Sequence, residues 1–532
     1  MAIPKPSIRQ SWALFTREEK KNMIIYIIGI MLYKFGLEAF NGSLVALATN
    51  RYDNDAKVTN TVAKTFGRIG LLQGLNQAFQ CVGAILIAPL IKRYPTKLVL
   101  SVAVFTFGLL TIVLLVVDAG TGGRFRPKGA KSNDFSYYGK YNTDGIIPIF
   151  CFTGIAYGMV ELIRRVIPRD IVGGNVQKLR RMDAIVHIFY EVSGTAAAFC
   201  TSLALIPALG TNYSFIITPI LFTLAAITWY FISNLDFKPA ASTILPNSPT
   251  YVRALVGSFF LFLRSCYLGM KIVFTSRKFI WLLPAYSVAL YAHRYLENGI
   301  APIIARRYLG NSAWSQIMVG GSNFGELLGA LFVFLFTNVV RTPIPWLRLD
   351  ALCLLIVWYL AYWYPPMGDV KYAWMVAGTF IPISFGWAAG DVSLAAYIQA
   401  SLARLESGHQ DVSALGAVMA FLYSAYIITY AITSPLLGQY VDKVSKRTKG
   451  DVHEAVMNIA GVQFTIIMVV VIAATFIPRG AWSLNPKMLE RQDLDWDLKD
   501  SEGRSEDGTG DGEDEGEVKE KDKGFVSTSM AA

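Results

Sequence analysis

The sequence predicts an all-helical integral membrane protein with twelve transmembrane helices in two lobes of six. Three observations predict it. Of the 532 residues, 53% are hydrophobic and only 16% charged, against roughly 25% charged in soluble chains. Apolar runs of about 20 residues, the length that crosses hydrocarbon as a helix, recur along the whole chain. A longer connection bearing prolines separates the first six runs from the last six.

Residues 1–23, mostly MAIPKPSIRQSWALFTREEKK, are polar and basic. They predict a cytosolic segment rather than a removable signal peptide, because the first apolar run is long enough to span and stay. The N-lobe, 24–234, places its spans at 24–48, 69–91, 97–117, 146–166, 184–207 and 213–234. A cytosolic linker, 235–278, contains Pro239, Pro246 and Pro249. Its second half, YVRALVGSFFLFLRSCYLGMKIVF, is apolar but interrupted by Arg253, Arg264 and Lys271. It therefore predicts an amphipathic helix on the membrane surface rather than a thirteenth span. The C-lobe, 279–477, places its spans at 279–298, 315–338, 349–364, 372–398, 412–438 and 455–477. In the remainder, 478–532, the stretch Glu490–Lys523 carries 15 acidic and 6 basic residues. Its low complexity predicts a disordered cytosolic tail.

Net charge is +11. The acidic tail leaves a strongly basic membrane body, which suits juxtamembrane loops against anionic lipid. Nucleic-acid binding is excluded for want of a soluble basic face. Five cysteines and four histidines are dispersed without CxxC or metal-ligand spacing, so neither a disulfide framework nor a metal site is expected. No phosphate-binding Walker motif and no nucleophile–histidine–acid constellation appears, so the chain reads as a non-enzyme without a cofactor. Loop lysines and arginines favour a cytosolic N-terminus, although GGRFRPKGAK and DKVSKRTKG fall on the opposite side. The plasma membrane is the expected location and a monomer the expected state. Asn212-Tyr213-Ser214 matches a glycosylation acceptor in a very short loop.

Charge inside the spans is the informative pattern. Spans 3, 6, 9 and 12 read as free of ionisable groups in their cores. Span 1 carries Lys34, Glu38 and Asn41 along one stripe, and span 2 carries Gln73, Asn76, Gln77 and Gln80. Span 4 ends in Glu161, Arg164 and Arg165. Span 5 carries Asp183, His187 and Glu191 in a ladder of four-residue steps. Span 7 offers Arg294 and Glu297, span 8 Asn323 and Glu326, and span 10 Asp391. Ionisable groups at membrane depth face a bundle interior or a wet cavity and mark substrate or proton paths. Their absence from every third helix fits a repeat of helix triplets whose third member faces lipid.

Each group has a structural reading beside the functional one. The span 5 ladder is either a proton relay or a helix–helix contact, with Asp183 paired to a nearby arginine. Glu38 is a coupling carboxylate or the partner of Lys34 one turn away. The glutamine stripe glues helices or lines the cavity, with Gln73 and Gln77 the candidates for lining. Glu161 and Arg164 form a gate or a fixed pair. Glu326 and Asp391 have no opposite charge one turn away in their own helices and are the C-lobe proton candidates.

This organisation resembles the major facilitator superfamily over residues 20–478, and its general look is similar to that of fungal members. The superfamily's loop signature, Gly-x-x-x-Asp-Arg/Lys-x-Gly-Arg/Lys-Arg/Lys, is met after span 2 only by APLIKRYPTK, where Arg93 and Lys97 remain. A closer match, GQYVDKVSKR (Gly438–Arg447), follows span 11. GIAYGMVELIRRVIPRD resembles the family's charged span 4. Span 5 has Ser193-Gly194-Thr195 but lacks the Gly-Pro pair of proton/drug antiporters. The resemblance implies alternating access about a central site, with carboxylates moving protons. On this reading the chain is a secondary active transporter of a small organic solute, coupled to protons and exporting. Glu38, His187, Glu191, Glu326 and Asp391 carry coupling. Lys34, Asn41, Gln73, Gln77, Arg294, Glu297 and Asn323 line the cavity, and Arg93, Glu161, Arg164 and Asp183 gate it. A nutrient-uptake permease and a non-transporting receptor or scaffold on the same fold are the alternatives.

Overall fold

A computed structural model describes residues 15–91, 93–130, 134–172, 176–233, 251–336, 340, 342–402, 414–478 and 480–483. The acidic tail and the first half of the linker lie outside the described residues. Among them all the regular secondary structure is helical, with no strand.

The N-lobe helices are α1 (Arg17–Val58), α2 (Thr65–Ile91), α3 (Thr96–Gly120), α4 (Ile146–Val172), α5 (Val176–Cys200) and α6 (Ile217–Tyr230). α7 (Tyr251–Thr275) is the linker helix. The C-lobe follows with α8 (283–308), α9 (Ser315–Phe336), α10 (Ile344–Ala361), α11 (Lys371–Leu402), α12 (Ala414–Arg447) and α13 (His453–Ala474). Among the described residues, ten helices, α7 among them, are long and apolar enough to cross a membrane. Below, the near end is the one holding Arg17 of α1, and the far end the one holding its terminus at Val58.

Local chemistry sets several boundaries. Thr16 and Glu19 cap the start of α1 reciprocally: the Thr16 hydroxyl accepts from the Glu19 amide at 3.2 Å, and the Glu19 carboxylate accepts from the Thr16 amide at 2.6 Å. This satisfies two amides that the first turn leaves open. Pro95 stands before α3, and Pro343 before α10. α8 is interrupted by π turns at Leu283–Val288, Leu296–Ile300 and Ile304–Tyr308. Such turns widen a helix and recur at functional positions.

Each lobe has its own apolar core. Tyr33, Phe40, Phe107, Phe150, Phe215 and Phe222 centre the N-lobe core; Trp281, Tyr295, Phe380 and Phe464 belong to that of the C-lobe. Small residues bring backbones close where helices cross. In α9, Gly321, Gly325 and Gly329 lie against Ala377, Ile381 and Phe385 of α11, four-residue steps on both sides. A methyl at any of them would lie 2.4 Å from the facing carbonyl oxygen. The lobes meet along α2 with α12, where Gly70 and Gly74 face Ser434 and Ala431, and along α5 with α9, where Phe199 packs on Gly320.

Four expectations change. The segment GQYVDKVSKR is not in a loop after its span, because α12 continues to Arg447. The ninth span, α10, begins at Ile344 rather than 349, so it gains Arg348 and places Asp350 in its second turn instead of at its boundary. Asp350 is wholly buried against His293 of α8 at 2.8 Å, with Trp387 stacked on the imidazole. α3 likewise ends in a buried Asp118, so the every-third-helix rule fails in both lobes. Hydrogen-bond partners supplied by other segments make these burials tolerable. Asp118 takes hydrogen bonds from the Gly139 amide at 3.1 Å and from Asn212 Nδ2 at 2.8 Å. Asn212 is therefore fully buried, and its amide is not available as a glycosylation acceptor.

Candidate functional site

Midway along the seam between the lobes, α1, α5, α8 and α9 bring ionisable side chains together. In α1 the Lys34 ammonium bonds Glu38 at 2.6 Å, one turn away. In α8 Arg294 bonds Glu297 at 3.0 Å. The other Glu297 oxygen accepts from the Ser322 hydroxyl of α9 at 2.6 Å, and Ser322 lies 2.6 Å from Ser384 of α11. Gly194 of α5 is where the lobes touch. A methyl there would lie 2.4 Å from Lys34 Cε and 3.2 Å from Asn323 Nδ2. Glycine leaves room for the lysine of one lobe and the asparagine of the other to reach the same point.

Two further carboxylates join this cluster, Glu191 of α5 and Glu326 of α9. Glu191 feels Lys34, Glu38, Arg294 and Glu297; Glu326 feels Glu191, Glu297, Arg294 and Lys34. Lys34 and Arg294 already have Glu38 and Glu297 as direct partners. Two carboxylates thus remain beyond what these two cations pair. Glu191 is 2% exposed, and its Oε2 has no protein hydrogen-bond partner. Nor do Asn323 Nδ2 and the Tyr426 hydroxyl.

At the far end the arrangement is different. Asp53, at the end of α1, receives Arg306 Nε at 2.6 Å and Arg307 Nη2 at 2.9 Å from α8, together with the Thr65 hydroxyl at 2.6 Å. Asp442 of α12 crosses the seam the other way. Its two oxygens accept the amides of Phe66 and Gly67, at 3.1 and 2.8 Å. These are open N–H groups of the first turn of α2, so a C-lobe carboxylate caps an N-lobe helix. Gly438, one turn earlier, allows the approach: a methyl there would lie 2.1 Å from the Phe66 carbonyl oxygen. Asn50 and Ser312 add a 2.8 Å bond between the lobes.

No protein-family model and no curated protein matches the sequence. Solved structures do match it in shape. The chain is similar to the D-xylose-proton symporter (TM-score 0.57, 12% identity, 88% of this chain and 98% of that one). It is also similar to a mutant peptide transporter POT bound to alafosfalin (0.55, 14%, 86% and 96%). A third is a mutant nucleoside transporter NupG (0.53, 12%, 86% and 100%). The chain has a major facilitator fold.

Within that fold the span 5 ladder becomes a gradient of depth. Asp183 is exposed near the near end, His187 half-buried one turn on, and Glu191 buried at the seam. Glu161 and Arg164 form a pair at 2.6 Å, with Tyr33 donating to Glu161 at 3.4 Å and the Arg164 guanidinium 4.4 Å from the Tyr190 ring centre. Tyr190 also has Lys34 at 4.4 Å. In the glutamine stripe, Asn76 donates to the Phe150 carbonyl at 2.8 Å and Gln80 to Asn76 at 2.9 Å. The first bond is helix–helix adhesion between α2 and α4, and the second, within α2, orients Asn76 for it. Gln73 is buried and Gln77 half-buried in the same helix, and Asn41 is half-buried in α1. Asp391 is half-buried in α11, seven residues toward the near end from Ser384, or roughly 10 Å along the helix. Arg93 sits just beyond α2 at the near end, its amide bonded to Leu90.

Sequence reading missed Asp53, Arg306 and Arg307, which lie at helix ends where charge is ordinary. It also missed His293 and Asp350, far apart in the chain. The one available signal was Gly438-x-x-x-Asp442, the closer match to the superfamily's loop signature. Here its glycine and aspartate perform the close approach and the cap at the opposite lobe.

Proposed function

We propose that this protein is a secondary active transporter that moves a small organic solute by alternating access, with protons as the coupling ion. The observation that carries the reading is the surplus at the seam: two carboxylates beyond the paired cations, beside buried polar atoms with no protein partner. A buried charge without compensation is unfavourable in low dielectric. A proton is the smallest ion that makes up the deficit, and a polar solute supplies partners to Glu191, Asn323 and Tyr426.

Glu191 and Glu326 come from opposite lobes, so rocking the lobes changes their separation and with it their hold on a proton. This links proton binding to lobe position, which is what coupling requires. His187 and Asp183 extend from Glu191 toward the near end and form the exit path. Arg294 and Lys34, held by their own glutamates, orient the solute. With the N-terminus cytosolic, the clasp of Asp53 and Asp442 closes the external face and opens when the lobes rock the other way. Proton release to the cytosol on the path through His187 then accompanies solute movement, and export is the direction we assign.

The test is reconstitution in proteoliposomes with a screen for solute-induced proton flux. Nucleosides, dipeptides and pentoses head the panel because the similar structures are transporters named for such compounds. Solute-dependent flux in the wild type and none in Glu191→Gln is the expected result. If no solute evokes flux and none raises the melting temperature, the transporter reading fails in favour of a receptor or scaffold. Solute flux that persists without proton movement retains transport and removes the coupling.

A further inference from the structure

α7 is the one described helix that belongs to neither lobe, and it is attached to both. On the N-lobe side, the Tyr251 hydroxyl donates to the Leu86 carbonyl of α2 at 2.9 Å, and the Cys266 and Cys81 thiols are neighbours. On the C-lobe side, Cys266 Sγ lies 3.5 Å from Ser424 Oγ of α12, Phe274 packs on Phe421, and Gly269 meets the Ala417 carbonyl so closely that a methyl would lie 2.0 Å from it. Along α2, Cys266 sits farther from the near end than Tyr251. Along α12, it sits farther from that end than Gly269. The helix therefore follows neither partner in register but lies across the pair, in the near-end half of the seam.

Its sequence divides it into three faces. At about 100° per residue, Arg253, Arg264 and Lys271 fall within roughly 20° of one another, a single basic stripe. Exposed Val256, Phe260, Leu263, Tyr267 and Phe274 centre about 60° round from that stripe. Gly269 and Val273, buried against the protein, face the other way. All three basic residues are exposed, α7 contains no acidic residue, and Arg277 and Lys278 follow it. A helix with an exposed apolar face bordered by a basic stripe fits the boundary between acyl chains and anionic headgroups.

We propose that α7 is a binding surface for anionic phospholipid, laid across the seam so that headgroup binding is felt by both lobes. The apolar face enters the acyl region while Arg253, Arg264 and Lys271 take the phosphates. Because one helix is tied to α2 and α12, lipid that fixes it in place also restrains the near-end separation of those two helices. The proposal concerns lipid alone and stands whether or not the chain transports a solute.

The test uses the full chain in nanodiscs of phosphatidylcholine with about one-fifth phosphatidylserine, extracted in mild detergent, with retained lipid identified by mass spectrometry. Phosphatidylserine is expected to be enriched over its bulk share. In the triple variant Arg253→Gln, Arg264→Gln, Lys271→Gln the ratio of retained phosphatidylserine to retained phosphatidylcholine should fall roughly fivefold, the effect of one basic residue near an anionic surface. The charge-keeping variant Arg253→Lys, Arg264→Lys, Lys271→Arg should retain it, as should substitution of Lys443, Lys446 and Lys449 by glutamine at the far end. An unchanged melting temperature in pure phosphatidylcholine shows that the neutral variant is folded; a lowered one hands the decision to the charge-keeping variant, whose loss of enrichment would overturn the proposal. Equal retention by wild type and folded neutral variant would also overturn it. So would a dimer in pure phosphatidylcholine that α7 substitutions dissolve, since a second copy would then cover the face.

Discussion

The far-end clasp and the central cluster are both buried and charged, and both join the lobes, yet they balance differently. In the clasp, Asp53 sits between two arginines, and each oxygen of Asp442 is bonded to an amide. Apart from Arg307 Nε, which is buried without a partner, the contacts are complementary. At the centre, Glu191 keeps an oxygen without a protein partner, and carboxylates outnumber the cations that pair them. Charge that the protein itself neutralises makes a latch. Charge that it leaves over needs an ion or ligand from outside, and this distinguishes a site from a fastening.

That contrast can be broken in graded steps, taken by their expected effect on folded stability. Asp53→Ala strips both arginines of their shared partner, and Arg306 is itself buried; loss of about 3–5 kcal/mol is expected, read by thermal or denaturant unfolding. An undiminished melting temperature would show that water already solvates the arginines. Asp442→Ala removes the cap of α2 and should lose about 1–2 kcal/mol, with Asp442→Asn keeping part of it. The same variant should raise the reactivity of a cysteine introduced at Gly67, because the far end opens more often. Glu191→Gln goes the other way. Neutralising a surplus carboxylate should leave stability unchanged or higher by up to about 1 kcal/mol, read by thermal unfolding, while solute-driven proton flux disappears. A clear loss of stability would make Glu191 structural. Least of all, Lys178→Ala, which breaks the near-end pair with Glu19 at 2.8 Å, should change stability by less than about 1 kcal/mol and vanish in high salt.

The centre was the more legible of the two regions. Lys34, Glu38, Glu191, Arg294, Glu297, Asn323 and Glu326 each announce themselves as ionisable or strongly polar residues within apolar runs, where such groups are rare. What could not be read was which of them meet. Gly194 looks like a small-residue packing position, and only the crossing of α5 with α1 and α9 makes it the point where Lys34 and Asn323 converge. Asp391, equally conspicuous in the sequence, lies a further turn or two toward the near end from Ser384. The clasp was illegible for the opposite reason: Asp53, Arg306 and Arg307 stand at helix ends, where charged residues need no explanation. Asp350 escaped because it stands at the very start of the predicted span, where charge is ordinary, and its partner, His293, lies on another helix.

By itself, the sequence determined that the chain is helical and membrane-embedded, and which polar and ionisable residues stand within its apolar runs. Those properties follow from local composition and periodicity, since the cost of exposing a charge or an open amide to hydrocarbon depends on each segment alone. Only the tertiary structure decided the pairing: that Asp442 caps a helix of the other lobe, that α7 lies across the seam, and that Glu191 and Glu326 share one cluster without a cation each. Pairing depends on distances between segments up to hundreds of residues apart in the chain, and no local pattern encodes them.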